Sequence, residues 1–119
     1  MKYLYPILFA FIFFSCRHND ISNISIQGTV QDVDSDAPIA DASVEVISWK
    51  YENSPDESYL ECETKIVTTD SKGKYQVHFD KGAFVEIHVS SDGYTDGQEA
   101  KEIYKKENTI NILLQKTNE

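Results

Sequence analysis

The chain reads as an all-β protein, with seven short strands folded into a β-sandwich. Three observations predict this. Apolar and polar residues alternate with a period of two in one run after another, the mark of half-buried strands. Clusters of Asp, Ser, Gly and Pro separate the runs, as turns require. Seven Tyr, six Phe and many Val, Ile and Thr fill the 119 residues, and these types pack well on a pleated surface. Several short strands at this spacing fit two stacked sheets.

The elements follow in order. "ISIQGTVQDV" places Ile24, Ile26, Gly28 and Val30 on one face. The turn "DSDAP" follows, and "ASVEVISWK" then places Ala42, Val44 and Val46 together. "YLECETKIV" sets Cys62 within or beside a third strand. After "DSKGK", "KYQVHF" alternates Tyr75, Val77 and Phe79 with Lys74, Gln76 and His78. After "DKGA", "FVEIHVS" alternates Val85, Ile87 and Val89 with Glu86 and His88. "EAKEIYKKE" is helical by composition but reads as an edge strand and a turn, and "TINILLQ" closes the set with Ile110, Ile112 and Leu114.

Parity makes a further expectation. The inward sets 75, 77, 79 and 85, 87, 89 allow a hairpin about a turn at Asp80 to Ala83. Facing partners share a side of the sheet, so His78 would oppose Glu86 and His88 would oppose Gln76. The histidines are then about 7 Å apart along the strands and share no metal.

The first residues carry an address. "YLYPILFAFIFF", Tyr3 to Phe14, is an apolar run preceded by Lys2 and containing Pro6. It suits the core of a signal peptide and falls short of the roughly 20 residues of a membrane span. The run meets Ser15-Cys16. A plain secretory site prefers a small residue at −3, where Phe13 stands. "FFSC" instead resembles the lipobox of bacterial lipoproteins, although Phe13 stands where Leu is usual and Phe14 where a small residue is usual. The resemblance implies cleavage before Cys16 and acylation of that cysteine, palmitate included. Several acyl chains give a stable anchor where one gives marginal binding. The expected organisation is a signal peptide over 1–15, a lipidated Cys16 and tether over 16–23, and the sandwich over 24–117. The expected place is the bacterial cell envelope, on the outer membrane.

Charge narrows the partners. The formal net charge is −9, and loss of residues 1–15 removes one lysine. Such a surface argues against nucleic acid, which needs basic patches. With Cys16 acylated, Cys62 has no partner within the chain for a disulfide. Glu61 and Glu63 flank Cys62 and disfavour its thiolate.

Two stretches together resemble a family. "GTVQDVDSDAPIADASVEV", Gly28 to Val46, is similar to the opening of the carboxypeptidase regulatory-like domain. "TTDSKGKYQVHFDKGAFVEIHVSSDGY", Thr68 to Tyr94, is similar to its second half, through Thr69, Asp70, Gly73, Tyr75, Gly93 and Tyr94. The resemblance implies a transthyretin-like Greek-key sandwich and a non-catalytic module. Gly73 and Gly93 suit turns of positive φ. The ring of Tyr94 can cap the core while its hydroxyl reaches a backbone partner.

Signals for catalysis are missing: no HExxH, no GxSxG, no CxxC, no Gly-rich phosphate loop. The only arginine is Arg17. The expectation is a protein that is not an enzyme and takes no cofactor or metal. "DVDSD", Asp32 to Asp36, opens like a calcium loop, but Ala37 and Ser43 stand where an EF-hand needs Gly and Glu. An irregular calcium site and an Asp-capped turn are the readings left. The candidate binding surface is aromatic. With Val44 and Val46 inward, Ile47, Trp49 and Tyr51 point outward, and Tyr59 returns from the loop. Exposed aromatics mark binding sites. A protein of the envelope is the expected partner. A glycan is the alternative, with rings for stacking and Glu52, Asp56 and Glu57 as acceptors.

Overall fold

The computed structural model describes residues 20–51 and 61–117. Within them all regular structure is strand: β1 (Ile21–Asp32), β2 (Ser43–Lys50), β3 (Glu61–Thr68), β4 (Lys74–Gly82), β5 (Phe84–Ser90), β6 (Gly97–Glu102), β7 (Glu107–Thr109) and β8 (Ile112–Leu114). One sheet runs β4-β1-β7, with β8 also on β1, and the other runs β3-β2-β5-β6. The segment expected to be a signal peptide, Cys16 and Tyr59 lie outside the described residues.

The core is what the alternation requires. Ile24, Ile26 and Val30 of β1 meet Tyr75, Val77 and Phe79 of β4 on the inner face of one sheet. Val44, Val46, Val85, Ile87 and Val89 supply the other inner face. Ile110, Ile112 and Leu114 complete the core from the end of the chain. Burying each such side chain contributes about 1.5–3 kcal/mol.

The last strand differs from the single run that the sequence predicts. It lies parallel to β1 and breaks in two, with Ser25 to Gln27 opposite Glu107 to Thr109 and Val30 to Asp32 opposite Ile112 to Leu114. The break is centred on Gly28. A Cβ there would stand 1.9 Å from the Ile110 carbonyl oxygen. Only glycine lets the backbone of Ile110 cross so close. The Ile110 N–H donates to Gln27 O, and its carbonyl accepts the Tyr75 hydroxyl at 2.6 Å. Asn111 fills the gap with its side chain, accepting from Thr29 N–H at 3.0 Å. Strand β1 also begins at Ile21, three residues before the alternation does. Ile21 and Ser22 pair with Gly82 and Lys81, and Asn23 takes a φ of 54°.

The expected hairpin of Tyr75–Phe79 with Val85–Val89 does not form. β4 pairs with β1, while β5 pairs with β2 and β6. The chain changes sheets at Gly82 and Ala83, where the Ala83 N–H donates to Trp49 O. His78 therefore opposes Ser25, and His88 opposes Glu45 and Gln98. Both inward sets face one core from opposite sides, so parity fits a corner as well as a hairpin.

The sandwich closes differently along its two sides. On one side, Thr95 N–H donates to Gln115 O and Thr117 N–H to Gly93 O, tying the loop after β5 to the chain end. On the other side β3 and β4 run past each other as edges. Lys65 of β3 spans that side, donating from Nζ to His78 O and lying 5.1 Å from the Phe79 ring centre.

Candidate functional site

The outer face of the β3-β2-β5-β6 sheet carries the aromatic candidates. β2 runs to Lys50 without a bulge, because Ser48 takes the inward position and donates from Oγ to Lys81 O at 3.0 Å. Trp49 consequently lies on the outer face, half-buried, between Cys62 and Phe84. The next row sets Ile47 between Thr64 and Glu86, and the row after sets Glu45 between Ile66 and His88. The Trp49 indole N–H donates to Glu86 Oε1 at 3.2 Å, which fixes the ring across the sheet. Ile66 is 64% exposed and Tyr104 is 77% exposed.

Tyr51 and Tyr104 sit beyond the end of the Trp49 row. Tyr51 is half-buried, and its N–H donates to Asp20 Oδ1 at 2.8 Å. The Tyr104 hydroxyl donates to Glu102, whose carboxylate pushes the phenol up from its usual range, with a lesser contribution from Tyr51. The face thus combines Ile66, Ile47, Trp49 and Phe84 with the carboxylates Glu45, Glu86 and Glu102. Sequence parity sets Trp49 and Ile47 on the outer face, where they lie, whereas Tyr51 falls past the end of β2. Parity does not find Phe84, Ile66 or Tyr104, because strand order decides which outward residues become neighbours.

The acidic turn has a structural explanation. Asp32 is buried, and its Oδ1 accepts from Asp34 N–H at 2.8 Å and Ser35 N–H at 3.1 Å. Its Oδ2 accepts the Tyr94 hydroxyl at 2.9 Å and lies 3.7 Å from Lys116 Nζ. These donors, the Asp34 N–H foremost, hold the carboxyl below its usual range against the opposing effect of burial. The same bond raises the Tyr94 phenol. Asp32 is thus the cap of its own turn, with both oxygens already engaged. Among the described residues, no group of three or more His, Cys, Asp or Glu is placed to hold a metal. The Tyr94 hydroxyl reaches a carboxylate where the sequence predicts a backbone partner, and the Tyr75 hydroxyl takes the backbone role.

A second acidic residue does similar work. Asp70 accepts from Lys74 N–H and Lys72 N–H, both at 2.9 Å, and its carboxyl is lowered by them in that order. Burial raises the Tyr75 phenol, with Glu99 adding to the effect.

Comparison with known proteins adds the architecture. No family model matches the chain, and no curated protein matches it. Solved structures do match. Catechol 1,2-dioxygenase from Acinetobacter radioresistens superposes with a TM-score of 0.62 at 17% identity, covering 83% of this chain and 53% of that one. The 3-chlorocatechol 1,2-dioxygenase from Rhodococcus opacus gives 0.59 at 13% identity, covering 85% and 62%. The shaft pilin SpaA from Lactobacillus rhamnosus GG gives 0.57 at 11% identity, covering 82% and 49%. The chain is a β-sandwich domain. At these identities the likeness is one of fold alone, and the chain spans less than two thirds of each of these structures.

Proposed function

We propose that the protein is a lipid-anchored module of the bacterial cell envelope, not an enzyme, that binds another envelope protein through the outer face around Trp49. On this reading residues 1–15 are a lipoprotein signal and Cys16 carries the acyl chains, on the outer membrane. The sandwich is then the Greek-key, transthyretin-like fold of carboxypeptidase regulatory-like domains. The crossing of successive strands between two sheets supports that assignment. So do the positive φ values of Gly73 (75°) and Gly93 (85°), at the turns the resemblance names.

The observation that carries the binding role is the outward row of Cys62, Trp49 and Phe84, followed along the same face by Ile47 and, two rows on, by a 64% exposed Ile66. Apolar side chains gathered on the outer face of a sheet are a feature of interaction surfaces. The acidic charge of the chain favours a partner with a basic rim. The test is affinity capture from native membranes with the full chain as bait, alongside Ile66→Glu and Trp49→Ala variants. The reading expects one envelope protein held by the native chain and lost with both variants. Equal capture by all three chains would place the binding elsewhere.

A further inference from the structure

We infer that a second copy of this chain pairs with the free edge of β6, antiparallel and about a two-fold axis at Ala100. The direction of the backbone groups decides which residues form that edge. Ala42 O accepts from Thr69 N–H in the register of β2 with β3, so the even residues of β2 face β3 and the odd ones face β5. Glu45, Ile47 and Trp49 therefore bond His88, Glu86 and Phe84. That leaves Val85, Ile87 and Val89 to bond Lys101, Glu99 and Gly97 of β6. Ile103 confirms the sense, since its N–H continues the register by donating to Ala83 O at 2.9 Å. Gln98, Ala100 and Glu102 then turn their N–H and C=O groups out of the sheet. Among the described residues no strand lies beyond them and nothing bonds these groups.

The strand is also bare on both faces. Gln98 to Glu102 are all exposed. Glu99 and Lys101 point to the core side, beside the buried Ile87 and Val85, yet nothing covers them. β6 thus overhangs the sandwich, and only its first residue is closely covered, where a Cβ on Gly97 would meet the Leu114 side chain at 2.6 Å. The other edges are less open. On β4, Asp70 already takes both the N–H and the carbonyl of Lys74. On β3, Lys65 is bent under the strand to His78 O.

An unpaired strand edge is a template for another strand. Hydrogen bonding and charge together select one register here. An axis at Ala100 pairs Ala100 with itself and Gln98 with Glu102 on either side, and each pair exchanges two N–H···O=C bonds. The same register sets Glu99 opposite Lys101 on the core side, twice by symmetry. An axis at Glu99 would oppose two carboxylates, and an axis at Lys101 two ammonium groups. On the outer face Glu102 Oε1 accepts the Tyr104 hydroxyl, and Oε2 is left for the Gln98 amide of the second copy.

The pairing agrees with the anchor proposed above. It puts the two starts of β1 at opposite ends of the dimer, so two Cys16 anchors in one membrane require the axis to stand along the membrane normal. β1 lies in the sheet across the core from Trp49, so both Trp49 faces turn away from the membrane. This orientation rests on the anchor reading, whereas the pairing itself does not.

The test is sedimentation of the full chain over a range of concentrations, with detergent micelles in excess of protein. A reversible dimer is expected. Glu99→Lys and Lys101→Glu should each weaken it on the order of tenfold, because two attractive cross-strand pairs become repulsive. The double variant should restore it. Ala100→Pro should abolish it, since proline removes an edge N–H that β5 does not use. A chain that stays monomeric at about 100 μM overturns the inference. So does a dimer that neither charge reversal nor Ala100→Pro weakens, or a double variant no tighter than the single ones. If the proline variant does not fold, the charge-reversal pair decides, as both of its sites are exposed. Amide exchange in the native chain gives an independent reading. Gln98, Ala100 and Glu102 must gain protection as protein concentration rises, and by more than Glu99 and Lys101, which β5 already bonds.

Discussion

Adding one methyl group at Gly28 should be the most damaging conservative change in the domain. A Cβ at this position would sit 1.9 Å from the Ile110 oxygen and 2.7 Å from its carbonyl carbon. Ordinary contact needs more than 3 Å, so the backbone of Ile110 must move by over an ångström. It is held on both sides: its N–H donates to Gln27 O at 2.8 Å, and its carbonyl accepts the Tyr75 hydroxyl. Moving it weakens two bonds worth about 1 kcal/mol each. Overpacking adds about 1–3 kcal/mol. Gly28→Ala should therefore cost about 3–5 kcal/mol, a fifth or more of the stability of an ordinary domain. In a domain of this size that lowers Tm by about 12 °C or more. Gly93→Ala is the comparison. Nothing lies within 4 Å of its Cβ, and only the φ of 85° resists the change, at a cost of about 1 kcal/mol. Urea unfolding followed by the fluorescence of Trp49, the single tryptophan, measures both. A Gly28→Ala variant no less stable than Gly93→Ala would refute the close crossing of β7 and β8 over β1.

Three further outcomes follow from the same contacts. Tyr75→Phe should lose about 1–3 kcal/mol in the same urea assay, because the Ile110 carbonyl is left buried without its donor. Acid should destabilise the fold through Asp32 and Asp70. Both carboxyls titrate below their usual value when folded, so the unfolded chain takes up protons first. Their contribution is complete above about pH 4 and falls as pH drops through the folded values. Asp32→Asn should flatten that acid limb in a pH series of urea midpoints. Finally, Cys62 is exposed, so a thiol reagent should modify it in the native protein as fast as in urea, by absorbance.

Much of the fold is legible in the sequence because burial obeys a period of two. Ile24, Val44, Tyr75, Val85 and Ile112 all turn inward where alternation puts them. Pairing is not legible in the same way. The run from Tyr75 to Val89 keeps one parity whether it turns back on itself or crosses to the other sheet, and it crosses. The parallel placement of β7 and β8 beside β1 depends on a contact between Gly28 and Ile110, 82 residues apart, which no local pattern carries. The site divides likewise. Trp49 faces outward as its parity demands, yet Phe84 and Ile66 join it only through the strand order. The Asp-rich turn carries a calcium-like spacing, but Tyr94 and Lys116, distant in the chain, occupy the Asp32 carboxylate instead.

Attachment of this sandwich to a membrane through Cys16 is the part of the proposed function most open to measurement. Intact mass and membrane partition of the natively expressed protein test it most directly, beside a Cys16→Ala variant. The expected result is a chain that has lost residues 1–15, gained the mass of acyl chains and stays with the membrane, while Cys16→Ala leaves an unacylated chain. A mature protein cut at another position and free in solution, with Cys16 unmodified, would contradict it.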